Sequence, residues 1–261
     1  NWKKHLKNSD SLLVNASTWG LMLTGKVFRL GDSYKQQEEG LLDKMVSKLG
    51  EPVVRNAMYA AMKIMGKQFV LGRDISEAIK ASKKQRKNGY THSYDMLGEA
   101  AYTMQDAQKY FDAYANAIRT LGGQTFSEDY PIPPTISIKL SALHPRYEFA
   151  NQDRVLSEMT DSVCQLVSLA REQNVGVSID AEEMDRLELS LKLIEKVYRS
   201  DASKGWGNLG VVVQAYSKRA LPVLMWISQL AKSQGDMIPV RLVKGAYWDS
   251  EIKECQQQGL D

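Results

Sequence analysis

Four polar side chains lie at or near the ends of short apolar segments, and their types are those of a binding site. They are Lys139 in "TISIKLS", Asp180 in "VGVSID", Gln214 in "LGVVVQA" and Arg241 in "PVRLVKG". A buried cation is costly unless an anion lies beside it, and this set contains both signs of charge. The set would suit a carboxylate substrate beside an electron-rich cofactor, and it would equally suit a lysine that forms a Schiff base. A purely structural layer of ion pairs is the remaining alternative.

The segments that carry these side chains alternate with amphipathic helices. The predicted strands are 92–97, 135–141, 175–180, 209–215 and 239–245. Strand, helix and strand repeated in this order predict a parallel sheet with right-handed crossovers. No G-x-G-x-x-G motif follows a strand, which argues against a dinucleotide-binding Rossmann fold. We therefore predict an α/β fold of the (β/α)8 TIM-barrel type, with about five of its strands in this chain.

Alternation along each strand indicates which side chains point into the barrel. In "TISIKLS" the two isoleucines and the leucine share one face, and Lys139 lies on the other face. Because the apolar face of a barrel strand packs on the surrounding helices, Lys139 is expected to point inward. The same parity directs Asp180, Gln214 and Arg241 inward, with Asp95 as a further candidate on the first strand.

Two regions follow from these patterns. Residues 1–90 are predicted to be helical throughout, with Gly66 ending one of the helices, and residues 91–261 are predicted to form the barrel part. The chain starts at Asn1 rather than Met and stops at Asp261 behind a charged segment. We expect a piece of a longer protein, with about three barrel strands beyond it. An open barrel exposes strand edges, so we expect this piece by itself to be poorly stable or inactive.

Composition excludes several classes of protein. The chain has 261 residues, of which 43% are hydrophobic and 25% are charged, as in an ordinary globular protein. Its net charge of +3 is too small to indicate nucleic-acid binding. Two cysteines, Cys164 and Cys255, give no disulfide framework and fit a reducing cytoplasm. No cluster of histidine, cysteine and carboxylate residues has the spacing of metal ligands, so no metal site is expected.

Several long motifs resemble one known family. They are "SIKLSALHPRY", "IDAEEMDRLELSL", "VVVQAYSKR" and "RLVKGAYWDSEIK", with "SYDMLGEAA", "GKQFVLG" and "LLVNASTWGLMLTGK" upstream. Together they resemble the proline dehydrogenase domain of the bacterial bifunctional proline utilization A flavoproteins. This resemblance implies oxidation of L-proline to Δ1-pyrroline-5-carboxylate, the first step of proline catabolism, with hydride transfer to N5 of FAD. It also implies that the electrons then pass to a quinone.

The resemblance assigns roles to individual residues. The substrate residues that it implies are Lys139 on the proline carboxylate, Asp180 as an essential acid, Tyr247 over the substrate, Leu242 as an apolar wall and Glu99 as a gating acid. The cofactor residues that it implies are Gln214 and Arg241 at the flavin ring, with the loop residues Val243, Lys244, Gly245, Ala246 and Trp248. Two of these roles conflict with strict alternation, which puts Leu242 and Arg241 on opposite faces of the strand. Both can reach one site only if the strand bends or bulges there.

Partners and location follow from the same resemblance. It implies a cytoplasmic protein that associates peripherally with the inner membrane, meets a quinone at the membrane surface and forms a homodimer. DNA would be contacted only through a segment absent from this chain. Two alternatives stay open from the residues themselves: a Schiff-base barrel lyase that uses Lys139, and a non-catalytic scaffold or regulatory fragment.

Overall fold

The computed structural model describes residues 51–124 and 133–260. Its α-helices are α1 (Glu51–Phe69), α2 (Ile75–Lys87), α3 (Met104–Gly122), α4 (Gln152–Glu172), α5 (Leu187–Arg199), α6 (Ala220–Gln234) and α7 (Trp248–Gln258). Its strands are β1 (Ser93–Asp95), β2 (Thr135–Ile138), β3 (Gly176–Ile179), β4 (Leu209–Gln214) and β5 (Val240–Val243).

The strands form one parallel sheet in the order β1-β2-β3-β4-β5. Each strand pairs with the next one along the chain, and a helix follows each strand. Tyr94, Ile136, Val177 and Leu209 form one row across four strands, and all four are buried. The predicted α/β fold is therefore confirmed over the described residues as a five-stranded half-barrel with helices.

The hydrophobic core lies between the sheet and the helices. Ile118 and Leu121 of α3, Leu166 of α4 and Leu193 of α5 have no measurable exposure to solvent. Complete burial of such a side chain stabilises the folded state by about 1.5–3 kcal/mol. Because the apolar side chains of the strands pack against the helices, the polar side chains of the strands lie on the inner face of the sheet.

Helix α3 begins at a capping box. The Asp106 amide donates to Thr103 Oγ1 at 3.1 Å, and the Thr103 amide donates to the Asp106 carboxylate at 3.1 Å. Two amides that the helix itself cannot pair are thus satisfied, and the start of the helix is fixed. From this start, Tyr114 lies on the buried face of α3 and reaches the end of β2.

The chain divides into two compact units, Asn1–Ala81 and Ser82–Asp261. In the first unit, α1 continues through Gly66 to Phe69, so the prediction that Gly66 ends this helix is wrong. Gly66 does not have the positive φ of a C-terminal cap, and a helix interior tolerates one glycine at a cost of about 1 kcal/mol. The helical prediction for 1–50 lies outside the described residues, and the predicted boundary at residue 90 stays a prediction. None of the described helices is long and apolar enough to cross a bilayer.

Candidate active site

Three charged side chains from different strands meet on the inner face of the sheet. Lys139 directly follows β2 and Asp180 directly follows β3, so both stand at the carboxyl ends of their strands. Arg241 is the second residue of β5, and its long side chain reaches across to Asp180. The structure thus brings together three of the residues that the sequence singled out.

Asp180 lies between the two cations. Its Oδ2 is 3.0 Å from Lys139 Nζ, and its Oδ1 is 2.5 Å from a guanidinium nitrogen of Arg241. The Asp180 side chain is only 12% exposed, and that of Lys139 is 18% exposed. Each charge has lost most of its contact with water, and the opposite charges offset that loss. Lys139 Nζ also lies 3.5 Å from Oδ1 of Asp95, at the end of β1.

The surroundings of Lys139 keep its amine charged. Burial by itself favours the neutral amine, but the hydrogen bond and charge of Asp180, with the charge of Asp95, more than offset this and raise the pKa of Lys139. A lysine that attacks a carbonyl group needs a lowered pKa. The structure therefore favours a role in binding an anion over a Schiff-base role.

Arg241 is held from several sides and still reaches the open part of the site. Its guanidinium donates to Ser93 Oγ at 3.1 Å and to Ser137 Oγ at 2.8 Å, in addition to Asp180. Its side chain is 38% exposed, so part of the guanidinium remains free to meet a ligand. A fixed guanidinium with free N–H groups suits a planar or anionic partner.

Gln214 lies apart from this ion cluster. Its side-chain amide donates to the backbone carbonyl of Glu182 at 2.8 Å, and its Oε1 accepts the amide of Ala246 at 3.1 Å. One end of this buried side chain therefore holds the loop that follows β3, and the other end holds the loop that follows β5. Gly245 precedes the bonded amide and has φ of +108°, a conformation that other residues rarely adopt.

Tyr247 and Glu99 are electrostatic neighbours. Burial, followed by the charges of Glu99, Glu183 and Glu182, raises the pKa of Tyr247, while Lys139 acts in the opposite direction. Tyr247 therefore stays a neutral phenol at ordinary pH. Glu99 is exposed, whereas Tyr247 is half-buried. Glu99 follows β1 and Tyr247 follows β5, so both come after the carboxyl ends of their strands, as Lys139 and Asp180 do.

The structure does not bring Leu242 to the ion cluster. The pairing of β4 with β5 is regular, with Val212 opposite Arg241 and Val213 opposite Leu242, so no bulge rotates the strand. Leu242 consequently faces the helix side and is 58% exposed. Its role as an apolar wall stays a prediction.

The remaining loop residues surround the end of β5. The carbonyl of Val243 accepts the amide of Ala215 at 2.8 Å, and the carbonyl of Lys244 accepts the amide of Tyr216 at 3.3 Å. Trp248 begins α7 and is 43% exposed. These contacts tie the loop to the end of β4, while the Lys244 and Trp248 side chains stay accessible.

Sequence reasoning missed three residues that hold the site together. Ser93 could have been found, because it has the same strand parity as Asp95. Tyr114 accepts the amide of Lys139 at 3.1 Å, and burial raises its pKa to about 12. Glu182 accepts the amide of Ser141 at 3.0 Å. Tyr114 and Glu182 gave no usable signal, since a buried tyrosine on a helix and an acid in a loop have many ordinary explanations.

Comparison with known proteins identifies the family of this barrel. The family model described as proline dehydrogenase matches residues 78–261, which include all of the cluster residues. The chain belongs to the proline dehydrogenase family. In this proline dehydrogenase domain, Lys139 and Asp180 stand at the carboxyl ends of their strands, where barrel enzymes carry their active sites.

A second match corrects one expectation. The family model described as the DNA-binding domain of proline dehydrogenase matches residues 1–69. We expected any DNA-binding segment of the family to be absent from this chain. The match shows that a region similar to the family's DNA-binding domain lies within it.

Several relatives are similar over the whole chain. The bifunctional protein PutA of Rhizobium meliloti is 47% identical over 260 residues, and that of Escherichia coli is 45% identical over 261 residues. A crystal structure of a mutant Bradyrhizobium japonicum Proline Utilization A is 39% identical with a TM-score of 0.68, and the match covers 100% of this chain and 26% of that one. The match to the two curated relatives covers 100% of this chain but only 21% and 20% of their length.

Proposed function

We propose that the protein is a proline dehydrogenase that oxidises L-proline to Δ1-pyrroline-5-carboxylate with FAD as the hydride acceptor. The observation that carries this proposal is the cluster of Lys139, Asp180 and Arg241 on the inner face of a proline dehydrogenase barrel. It offers a charged ammonium group for a carboxylate and a partly free guanidinium beside it. An amino acid substrate needs the ammonium group for its carboxylate, and a redox cofactor beside it needs the guanidinium.

Lys139 binds the substrate carboxylate in this proposal. Its ammonium group is kept charged by Asp180 and Asp95, so it is ready to pair with an incoming anion over the whole physiological pH range. Asp180 holds the ammonium and the guanidinium at a fixed separation through its two oxygens. Such charge-assisted hydrogen bonds orient a small substrate more strongly than neutral ones do.

Tyr247, Glu99 and Leu242 complete the proposed substrate side. Tyr247 as a neutral, half-buried phenol provides a flat surface over a small ring. Glu99 is exposed and carries a charge that acts on Tyr247, which suits an acid at the entrance. For Leu242 the proposal requires a shift of β5, because the strand now turns this side chain away from Arg241.

The residues at the β4 and β5 ends fit the flavin of FAD. Arg241 offers free N–H groups, Gln214 has one further donor and one further acceptor, and Trp248 offers exposed aromatic surface. These groups, with the loop residues Val243, Lys244, Gly245 and Ala246, would hold the cofactor. When bound, FAD would accept at N5 the hydride that leaves the proline ring.

The same proposal includes the partners implied by the family. We propose that the electrons pass to a quinone at the membrane surface, and that the protein is cytoplasmic, associates peripherally with the inner membrane and forms a homodimer. The supporting observation is the similarity of the whole of this chain to 20% and 21% of the length of two bifunctional PutA proteins.

The experiment that tests this function is an absorbance spectrum of the intact protein before and after anaerobic L-proline. We expect flavin bands at about 450 nm that bleach when proline is added. D-proline, which has the same groups in the opposite configuration, is the matched control and should leave the bands unchanged. Flavin bands that persist with L-proline would contradict the proposed substrate, and a protein that takes up no FAD would contradict the proposed cofactor.

Gly245→Ala should weaken FAD binding by about tenfold or more. A Cβ at this position would lie 2.3 Å from Tyr216 Cδ1 and 3.0 Å from Gln214 Oε1, and the φ of +108° adds strain of roughly 1–3 kcal/mol. The loop must shift to relieve both the close contacts of the added Cβ and the backbone strain. The measurement is titration of the FAD-free protein with FAD. Gly235→Ala is the control, because Gly235 has φ of +66° and no atom within 4 Å of an added Cβ. Equal FAD affinity in the two variants would contradict this prediction.

A further inference from the structure

A chain of hydrogen bonds runs along the carboxyl ends of all five strands. We name it the rim belt, and it consists of Ala100, Ser141, Glu182, Gln214 and Ala246. Its links are Ala100 N to Ser141 Oγ at 3.1 Å, Ser141 N to Glu182 Oε1 at 3.0 Å, Gln214 Nε2 to the Glu182 carbonyl at 2.8 Å, and Ala246 N to Gln214 Oε1 at 3.1 Å. Each link joins residues that follow or end neighbouring strands of the sheet.

Glu182 is the middle member of the rim belt, with two members of the belt on either side of it. Its carboxylate faces β2 and accepts the Ser141 amide, while its carbonyl faces β4 and accepts the Gln214 side chain. The Glu182 side chain is 3% exposed, and its nearest cation, Arg186, is 3.5 Å away. Burial of a carboxylate costs free energy of desolvation, which an apolar residue that only filled this space would avoid. The Glu182 carboxylate is therefore better explained by its hydrogen bond to the Ser141 amide.

The two ends of the rim belt carry residues of the proposed active site. Ala100 directly follows Glu99, and it has φ of +54°, an uncommon conformation for alanine that its bond to Ser141 helps to hold. Ala246 directly precedes Tyr247. The belt therefore connects the loop of the entrance acid with the loop of the tyrosine on the other side of the half-barrel.

We propose that Glu182 is a positioning residue. Through the rim belt it fixes the position of the Glu99 loop relative to the Tyr247 loop. The roles of Glu99 and Tyr247 rest on the proposed function, whereas the coupling between their loops does not. Removal of the Glu182 carboxylate leaves the buried amide of Ser141 without its acceptor, and the backbone then moves to pair it. This movement displaces the Glu182 carbonyl from Gln214 and frees the Ala246 amide.

Hydrogen exchange measured by mass spectrometry on the intact protein tests the coupling directly. In Glu182→Ala we expect peptides that contain Ala100 and peptides that contain Ala246 to exchange about tenfold faster, as the loss of one net hydrogen bond implies. Peptides from the middle of α4 should be unchanged. Faster exchange only at residues 180–186, or equally in every peptide, would overturn the proposal.

Two variants serve as controls. Glu182→Gln keeps an oxygen that accepts the Ser141 amide, so exchange at both ends should stay within about twofold of the parent protein. Glu183→Ala removes the neighbouring acid and its contact with Arg186 at 3.2 Å, but no link of the belt, and should also leave both ends unchanged. If Glu182→Ala does not fold, Ser141→Ala removes only the acceptor of the Ala100 amide. It should then speed exchange at Ala100 and not at Ala246, and unchanged exchange at Ala100 would overturn the proposal.

Kinetics separate positioning from a general loss of structure. If the protein oxidises proline, Glu182→Ala should raise KM for L-proline by about tenfold and keep kcat per bound FAD within about twofold, because both loops contribute to substrate binding. A partly unfolded enzyme would instead lose kcat per total protein at unchanged KM. The exchange result stands without proline oxidation, so failure of the proposed function and failure of this coupling give different outcomes.

Discussion

Lys139→Met should lower kcat/KM for L-proline by about 100- to 1000-fold, mainly through KM. The substitution keeps the length of the side chain and removes the ammonium group that Asp180 holds at 3.0 Å. Loss of one partner of a buried, hydrogen-bonded charge pair costs roughly 2–5 kcal/mol, and each 1.4 kcal/mol corresponds to about tenfold. The measurement is steady-state oxidation of proline together with the FAD content, which should stay at the level of the parent protein.

Two comparisons make this prediction specific. Lys192→Met is the matched control, since Lys192 is an exposed lysine that donates to Gln152 Oε1 at the surface, and it should change kcat/KM by less than about twofold. Lys139→Arg keeps the positive charge and should retain more activity than Lys139→Met. A Schiff-base lyase would instead lose its activity equally in both variants, because neither arginine nor methionine can form the adduct. Trapping of a Lys139 adduct by borohydride would contradict our assignment.

Asp180→Ala should impair both stability and turnover. It leaves Lys139 and Arg241 facing each other with no anion between them. Removal of one member of a buried ion group costs roughly 3–5 kcal/mol, and we expect about 2 kcal/mol here because the Arg241 side chain is 38% exposed. Turnover of proline should fall by at least about 100-fold, since both cations lose the group that orients them. The measurements are urea unfolding and steady-state kinetics on the same preparation.

The control for Asp180 is an acid of the same type in an exposed ion pair. Asp249 pairs with Lys253 at 2.8 Å, and both side chains are more than 60% exposed (61% and 66%). Asp249→Ala should therefore change the free energy of unfolding by less than about 1 kcal/mol. Asp180→Asn keeps the shape and one acceptor oxygen, so it should be more stable than Asp180→Ala while remaining poorly active. An Asp180→Ala variant as active as the Asp249→Ala control would contradict the assigned role.

Both the fold and most of the ion cluster could be predicted from the sequence. Strand periodicity is local, so the alternation in "TISIKLS" already separated the isoleucines from Lys139. Parallel strands have their carboxyl ends at one edge, so the sequence alone places Lys139 and Asp180 at the same edge. Arg241 belongs to the same face by parity, although it stands near the start of β5 rather than at its end.

Other features depended on contacts that no local pattern encodes. Helix α1 continues through Gly66, where the backbone φ is not positive. Glycine permits both a helix interior and a helix end, so the residue type alone could not decide between them. The pairing of β4 with β5 decided that Leu242 faces away from the cluster. Residue types alone could not exclude a bulge at that position.

The sequence by itself determined the class of fold, the parity of the strands and the chemical types available at their ends. These follow from periodicities of a few residues, which short stretches of chain fix on their own. The tertiary structure decided which charges meet and which groups hold them: Asp180 between two cations, Tyr114 under the Lys139 amide, and Glu182 linking Ser141 to Gln214. Such partners are separated by 25 to 61 residues along the chain. Only the folding of the sheet brings them within hydrogen-bonding distance.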